Sequence, residues 1–265
     1  MTIFEAIILG IVQGLTEFIP VSSSGHLVIF HALFGIEENG LAFDVALHIG
    51  TLTALIIFFY KDLLLLAKGI LGRNDHKGLA WLLVGATIPA VFMGVLLQDV
   101  AETSFRSAAL VAVNLILVAF FMLAAEGYAR RHYENKTTLL QTKVSQAAVI
   151  GVAQAVALVP GVSRSGITIT AGVFAGLDRV SATRFSFLLA IPVTLGAIVK
   201  IMSDGGGQAL SQQPSIFLAG ILSALVSGLF AIRFLIRYLS KHDLTIFAYY
   251  RIVLGVCILA AVTLY

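Results

Sequence analysis

Apolar residues along this chain gather into ten blocks with the charged residues lying largely in the gaps between them. Six blocks, 41–60, 79–97, 108–125, 181–201, 215–236 and 246–265, are long enough to cross about 30 Å of hydrocarbon at about 1.5 Å per residue, and predict transmembrane helices. Four others fall short. The blocks at 3–18 and 26–34 flank Phe18-Ile19-Pro20-Val21-Ser22-Ser23-Ser24-Gly25, and those at 144–158 and 167–176 flank Val159-Pro160-Gly161-Val162-Ser163-Arg164-Ser165-Gly166. Each pair reads as a helix-loop-helix hairpin that enters and leaves on one side. The alternative, ordinary aqueous loops between short spans, is disfavoured by the shortness of the flanking helices. Irregular backbone at membrane depth survives where protein buries it or a wet cavity receives it. The expected fold is all-α and integral to the membrane, with six transmembrane helices and two re-entrant hairpins.

Composition agrees: 59% apolar against 12% charged residues is far from the balance of a soluble domain, and the 265 residues suffice for one membrane domain, 1–265. A net charge of +3 spread over loops points to a juxtamembrane bias and away from nucleic acid. The start, Met1-Thr2-Ile3-Phe4-Glu5, has neither a basic n-region nor a cleavage site, so no signal peptide is expected. Cys257 stands alone in an apolar run and implies neither a disulfide nor a thiol metal site.

The basic residues orient the spans. Lys61, Lys68, Arg73 and Lys77 lie between the first two, Arg130, Arg131, Lys136 and Lys143 follow the third, and Arg237 and Lys241 precede the sixth. The other connections carry Asp99, Glu102 and Asp204 with only Arg106. Lys/Arg-rich short loops stay in the cytoplasm, which places the first hairpin on the outer face and makes the second enter from the cytoplasm.

A shift of 141 residues superposes Gly10 on Gly151, Gln13 on Gln154, Val21 on Val162, Ser22 on Ser163, Ser24 on Ser165 and Gly25 on Gly166, with Pro20 and Pro160 one position out of register. Each half, about 1–127 and 144–265, is a hairpin plus three spans. An odd number of crossings inverts the second copy, so the two Ser/Gly loops would meet near the midplane, where inverted-repeat proteins keep their sites. Ser23 of the first copy corresponds to Arg164 of the second.

Burying an ionisable group in such hairpins costs about 2.5–3.5 kcal/mol on insertion scales, so Glu17 and Arg164 need partners or a wet cavity. Gln13 and Glu17, at i and i+4, share one helix face, and His26 opens the returning helix. Duller roles are available. Ser22, Ser23 or Ser24 can cap the helix, Glu17 can pair with Arg164 structurally, and His26 can be a packing histidine. Asp44 and His48 are either a supporting pair or a solvated mouth, and Arg184 is expected to snorkel or to anchor the second hairpin. A helix N-terminus, Gly-flanked amides, an arginine and hydroxyls together describe a phosphate site. Ser23 has two candidate bases, Glu17 and His26. No Walker loop, HExxH or CxxC occurs.

The stretches Gln13 to His26 and Pro160 to Gly166, with Phe43 to Gly50, Gly85 to Ala90 and Arg184 to Pro192, resemble the bacitracin-resistance family of undecaprenyl-pyrophosphate phosphatases over most of the chain. The resemblance implies hydrolysis of the C55 pyrophosphate to the monophosphate in the bacterial inner membrane, at a site opening outward to the periplasmic side, recycling the carrier for cell-wall synthesis. It implies Ser23 as nucleophile, His26 and Glu17 as acid and base, and Arg164 as phosphate clamp. Gln13, Ser22, Ser24, Ser163, Ser165 and Gly166 would contact substrate. Many members have Glu where this chain has Gln13, which weakens any scheme with two carboxylates on a metal. Mg²⁺ or Ca²⁺ is expected to arrive bound mainly through the pyrophosphate, with no metal-ligating residue assigned. Expected partners are the isoprenoid pyrophosphate lipid and the bilayer, with a homodimer allowed for. The rival reading is a transporter or flippase for an anionic isoprenoid lipid.

Overall fold

The computed structural model describes residues 1–34, 40–96, 107–132, 136–203 and 207–264. Among them the regular elements are helices: α1 (Ile3–Phe18), α2 (Ser23–Phe34), α3 (Gly40–Phe58), α4 (Tyr60–Ile70), α5 (Lys77–Leu96), α6 (Ala108–Arg131), α7 (Val144–Val156), α8 (Arg164–Phe174), α9 (Arg179–Ile201), α10 (Gly207–Gln212), α11 (Pro214–Leu239) and α12 (Thr245–Leu264). Five of these, α5, α6, α9, α11 and α12, are long and apolar enough to cross a membrane, and α3 with α4 adds a sixth if that bent pair is one span. Leu97 at the end of the second expected span, the loop charges Asp99, Glu102, Arg106 and Asp204, and Tyr265 lie outside the described residues.

The bend between α3 and α4 is 76°, and α4 occupies a segment expected to be loop. Arg184 of α9 secures it, donating to Asp62 of α4 at 2.5 Å with its guanidinium 5.4 Å from the Phe59 ring. Arg184 therefore ties α9 to the bend and not to the second hairpin.

The hairpin helices form where expected and stay short, with 16, 12, 13 and 11 residues in α1, α2, α7 and α8. Thr2 and Glu5 make a reciprocal cap that starts α1. Its end is local too: Ile19 is extended (φ −65, ψ 134), as the residue before a proline prefers. In each pair the two helices pack on one another, α1 on α2 and α7 on α8.

Both hairpins are held by close backbone approach to a span of the other half of the chain. α1 lies along α11 and α7 along α5. A Cβ on Gly14 would sit 2.5 Å from the Ala224 carbonyl oxygen and 2.8 Å from the Gly228 nitrogen, and one on Gly151 would sit 2.7 Å from the Ala86 carbonyl oxygen. Small residues permit such contact in lipid, where helices gain little by hiding apolar surface and much by tight packing. At one end of the bundle, Glu126 of α6 accepts from Arg179 of α9 and from the Leu244 amide that starts α12. Nearby, Arg130 donates to Asp243 at 2.6 Å.

Two predictions follow from this packing. Gly14→Ala should destabilise the detergent-solubilised protein by about 1–3 kcal/mol, as overpacking does, while Gly94→Ala, whose added Cβ meets nothing within 4 Å, should be neutral or better. Thermal unfolding of the two variants side by side decides it. Burial would raise the Asp243 carboxyl, but hydrogen bonds from Arg130 and Thr245 and the Arg130 charge outweigh it and hold the group below its usual range. Its contribution is thus full above the unfolded carboxylate pKa of about 3.9 and is lost as pH falls through the lower folded value. Asp243→Asn should remove that acid-side decline from the melting profile.

Candidate active site

The two loops between the hairpin helices have the same local geometry. Ser22 and Ser163, equivalent under the 141-residue shift, are the two non-glycine residues with positive φ among the described residues, at 75° and 70°. Each side chain then accepts the amide three residues on, Gly25 N at 3.4 Å and Gly166 N at 3.2 Å. In each loop the flanking hydroxyls also meet, Ser22 with Ser24 at 3.1 Å and Ser163 with Ser165 at 3.4 Å. Ser22 and Ser163 therefore cap the returning helices, which puts Ser23 and Arg164 at the first position of α2 and α8.

The loops touch. Gly161 N donates to Ser24 Oγ at 3.2 Å, and Ser165 Oγ lies 3.5 Å from the Ile19 carbonyl oxygen. Ser23 and Arg164 converge on Glu17. Ser23 Oγ donates to Glu17 Oε2 at 2.7 Å, Gln13 Nε2 donates to the same oxygen at 3.0 Å, and Arg164 forms an ion pair with Glu17 Oε1. Arg164 is further held by the Ala190 carbonyl and the Thr194 hydroxyl of α9. His48 completes the cluster: its Nε2 is 3.7 Å from Glu17 Oε2, its Nδ1 is 2.8 Å from the Asp44 carbonyl oxygen, and its side chain is 32% exposed. Glu17, by contrast, is only 7% exposed.

His26 stands elsewhere. Its Nδ1 lies 2.7 Å from the Ser22 carbonyl oxygen and its Nε2 2.6 Å from the Tyr250 hydroxyl, with the two rings parallel. The hydroxyl of Ser23 therefore has Glu17, and not His26, as its hydrogen-bond acceptor. The expected phosphate contacts divide in the same way. Ser22, Ser163 and the Gly166 amide are committed to capping, and Ser24 and Ser165 to joining the loops, while Gln13 supports the carboxylate. A Cβ on Gly166 would lie 3.1 Å from the Arg251 guanidinium, so its glycine leaves room for that side chain. Tyr250, Arg251, Asn114 and Thr194 were not singled out from sequence. Only Arg251 carried a signal, as a charge inside an apolar span.

Among the described residues no three His, Cys, Asp or Glu side chains gather as a metal site. Both oxygens of Glu17 are engaged, and the buried Gln13 Oε1 has no partner. One amide oxygen and a shared carboxylate fall short of the six or so oxygens a magnesium or calcium ion takes. The set fits a cation whose remaining ligands are phosphate and water.

The Glu17–Arg164 pair makes a thermodynamic prediction. Removing either partner leaves a buried charge uncompensated at a cost of about 3–5 kcal/mol. Glu17→Ala and Arg164→Ala should each destabilise strongly, and the double variant by much less than their sum. Additive melting shifts across that cycle would sink the pairing.

Comparison with known proteins gives an independent reading. Residues 6–257 match the family model described as bacitracin resistance protein BacA. The chain is 45% identical over 258 residues to an undecaprenyl-diphosphatase of Thermodesulfovibrio yellowstonii, covering 97% of this chain and 96% of the relative. It is 43% identical to one from Desulforudis audaxviator and 44% identical to one from Caldicellulosiruptor bescii, in both cases over 98% of this chain and 97% of the relative. With a match this long on the hairpins, the loops and the spans alike, the chain belongs to the BacA bacitracin-resistance family.

Proposed function

We infer that this protein is a membrane phosphatase that hydrolyses undecaprenyl pyrophosphate to undecaprenyl phosphate and inorganic phosphate, the activity by which its relatives are named. One observation carries the chemistry: the Ser23 hydroxyl donates at 2.7 Å to a buried carboxylate that also faces Arg164. A nucleophile needs a base within hydrogen-bond reach, and a phosphate needs a cation with a rigid fork of donors. Arg164 spends NH2 on Glu17 and NH1 on Ala190 and Thr194, so its Nε–H and second NH2 hydrogen remain for an anion. The positive ends of α2 and α8 add to the same field.

In this scheme Ser23 Oγ attacks the distal phosphorus and Glu17 takes its proton. The bond to the bridging oxygen breaks and undecaprenyl phosphate leaves with the proton that Glu17 returns to it. The freed Glu17 then deprotonates water, which attacks the phosphoserine phosphorus, and phosphate is released as Ser23 Oγ takes the proton back. Glu17 cannot serve both partners equally once the anion arrives. Binding at Arg164 weakens its pull on the carboxylate, which makes Glu17 a stronger base when the nucleophile must act. A Mg²⁺ or Ca²⁺ ion carried on the pyrophosphate would neutralise the leaving phosphate, with Gln13 Oε1 as the protein oxygen nearest to hand. His26, held by Tyr250, fixes the start of α2.

The architecture we favour is an inverted repeat of two halves, about 1–127 and 144–265, with six spans counting α3 and α4 as one. It is supported by the matched φ values and caps of the two loops and by the reciprocal packing of α1 on α11 and α7 on α5. The charge bias of the loops favours an orientation with the site open to the periplasmic side, in the bacterial inner membrane that the family resemblance implies. A transport reading would leave the serine–carboxylate bond without a use.

Ser23→Ala should abolish phosphate release in detergent while leaving the melting temperature within a few degrees of the parent. Near-normal turnover in that variant would eliminate the serine scheme in favour of a water nucleophile. Arg164→Lys should cost at least about 100-fold in kcat/KM, because an ammonium lacks the fork. A loss under tenfold would argue against two-point phosphate binding.

A further inference from the structure

Arg251, in the second turn of α12, is 0% exposed, and among the described residues no carboxylate pairs with it. Burying a lone arginine at membrane depth costs about 2.5–3.5 kcal/mol on insertion scales, so a compensating role is expected. Its guanidinium is instead surrounded by main-chain oxygens. Nε donates to Leu115 O at 3.1 Å; NH2 reaches Gly161 O and Val162 O at 3.0 Å and Asn114 O at 3.4 Å; NH1 reaches Pro20 O at 3.5 Å. Three of these carbonyls belong to the two loops and two to α6. One side chain thus bonds both re-entrant tips and the span behind them. Asn114 adds a second tie from α6, donating to Pro160 O at 2.9 Å, and Tyr250, the neighbour of Arg251, holds His26 at 2.6 Å.

The tips need such a brace. Ser22 and Ser163 sit at positive φ, which costs a non-glycine residue about 1–3 kcal/mol and persists only where the surroundings over-determine it. Arg251 grips the peptides just before both: Pro20 O precedes Ser22 by two residues, and Val162 O belongs to the peptide that ends at Ser163 N. A peptide unit is planar, so fixing its carbonyl fixes the direction of the next amide as well. Arg164 directly follows the second gripped peptide, and Ser23 lies two residues beyond the first.

We propose that Arg251 is a positioning residue of this phosphatase, a buried guanidinium that sets the register between the two loops and so the spacing of Ser23 from Arg164. This rests on the reading of Ser23 as nucleophile and Arg164 as phosphate clamp. It acts through the loops and touches no reacting atom. A misplacement of about 1 Å in such a pair costs about 100-fold in rate. Lysine at 251 keeps the charge but has three donors on one nitrogen, so it can reach at most three of the five carbonyls and lacks the rigid fork that holds the rest.

The test measures phosphate release from a short-chain isoprenoid pyrophosphate by purified Arg251→Lys in detergent, together with its melting curve and amide hydrogen exchange. The expected result is a kcat lowered about 100-fold, a KM within threefold of the parent, and faster exchange confined to residues 19–25 and 160–166. Asn114→Ala, which removes one tie from one tip, should show the same signature at about three- to tenfold, and it keeps the proposal testable should Arg251→Lys fail to fold. Three outcomes overturn it: parental kcat in Arg251→Lys, a raised KM at unchanged kcat, or faster exchange across the whole bundle. With an unfolded Arg251→Lys, an Asn114→Ala of parental kcat overturns it equally. If Ser23→Ala keeps its turnover, the reading of the site fails; if Ser23→Ala is inactive while Arg251→Lys has parental kcat, only the brace fails.

Discussion

Main chain that leaves a helix at membrane depth has no water to satisfy it, and every exposed amide and carbonyl there must be answered by protein. That constraint shapes the centre of this molecule. The loops after Phe18 and after Val156 answer one another through Ser24 and Gly161 and through Ser165 and Ile19, and the rest falls to side chains from neighbouring spans, Asn114 and Arg251. The serines and glycines of the two tracts are therefore needed twice, once to make the turn and once to let the turns meet.

Bringing two helix N-termini together has an electrostatic consequence. Their positive ends, Arg164 and Arg251 accumulate around one small volume, and Glu17 is the carboxylate inside it. Before substrate arrives, Glu17 supplies the counter-charge, and the same carboxylate accepts the Ser23 hydroxyl. On the proposed reading, a pyrophosphate entering this volume would take over the compensation of Arg164, and the structural pairing and the catalytic role of Glu17 would be two states of one group.

Much of this was legible along the chain. Block lengths marked five of the six expected spans, which the structure shows as helices long and apolar enough to cross a membrane, and marked α1, α2, α7 and α8 as shorter. The two Ser/Gly tracts were legible as turns, since proline and glycine interrupt helices and serine caps them locally. Gln13 and Glu17 were legible as neighbours because four residues make about one turn. What failed was pairing at a distance. His26, three residues from Ser23, was one of its two candidate bases, and Tyr250 from the last helix hydrogen-bonds it instead. Arg184 was expected to snorkel or to anchor the second hairpin, and Asp62 of α4 pairs with it instead.

The sequence by itself determined the membrane as solvent, the helical elements, the two loop turns and the residue types of an anion site, because each depends on composition or on contacts within a few residues. Only the tertiary structure decided who meets whom: Ser23 with Glu17, Arg164 with Thr194, His48 with Glu17, and Arg251 with both loops. Those contacts join residues 30 to 231 positions apart or depend on the turn of a loop, and no periodicity encodes them. They follow from where glycines let helices approach, which is a property of the packed bundle and not of any one segment.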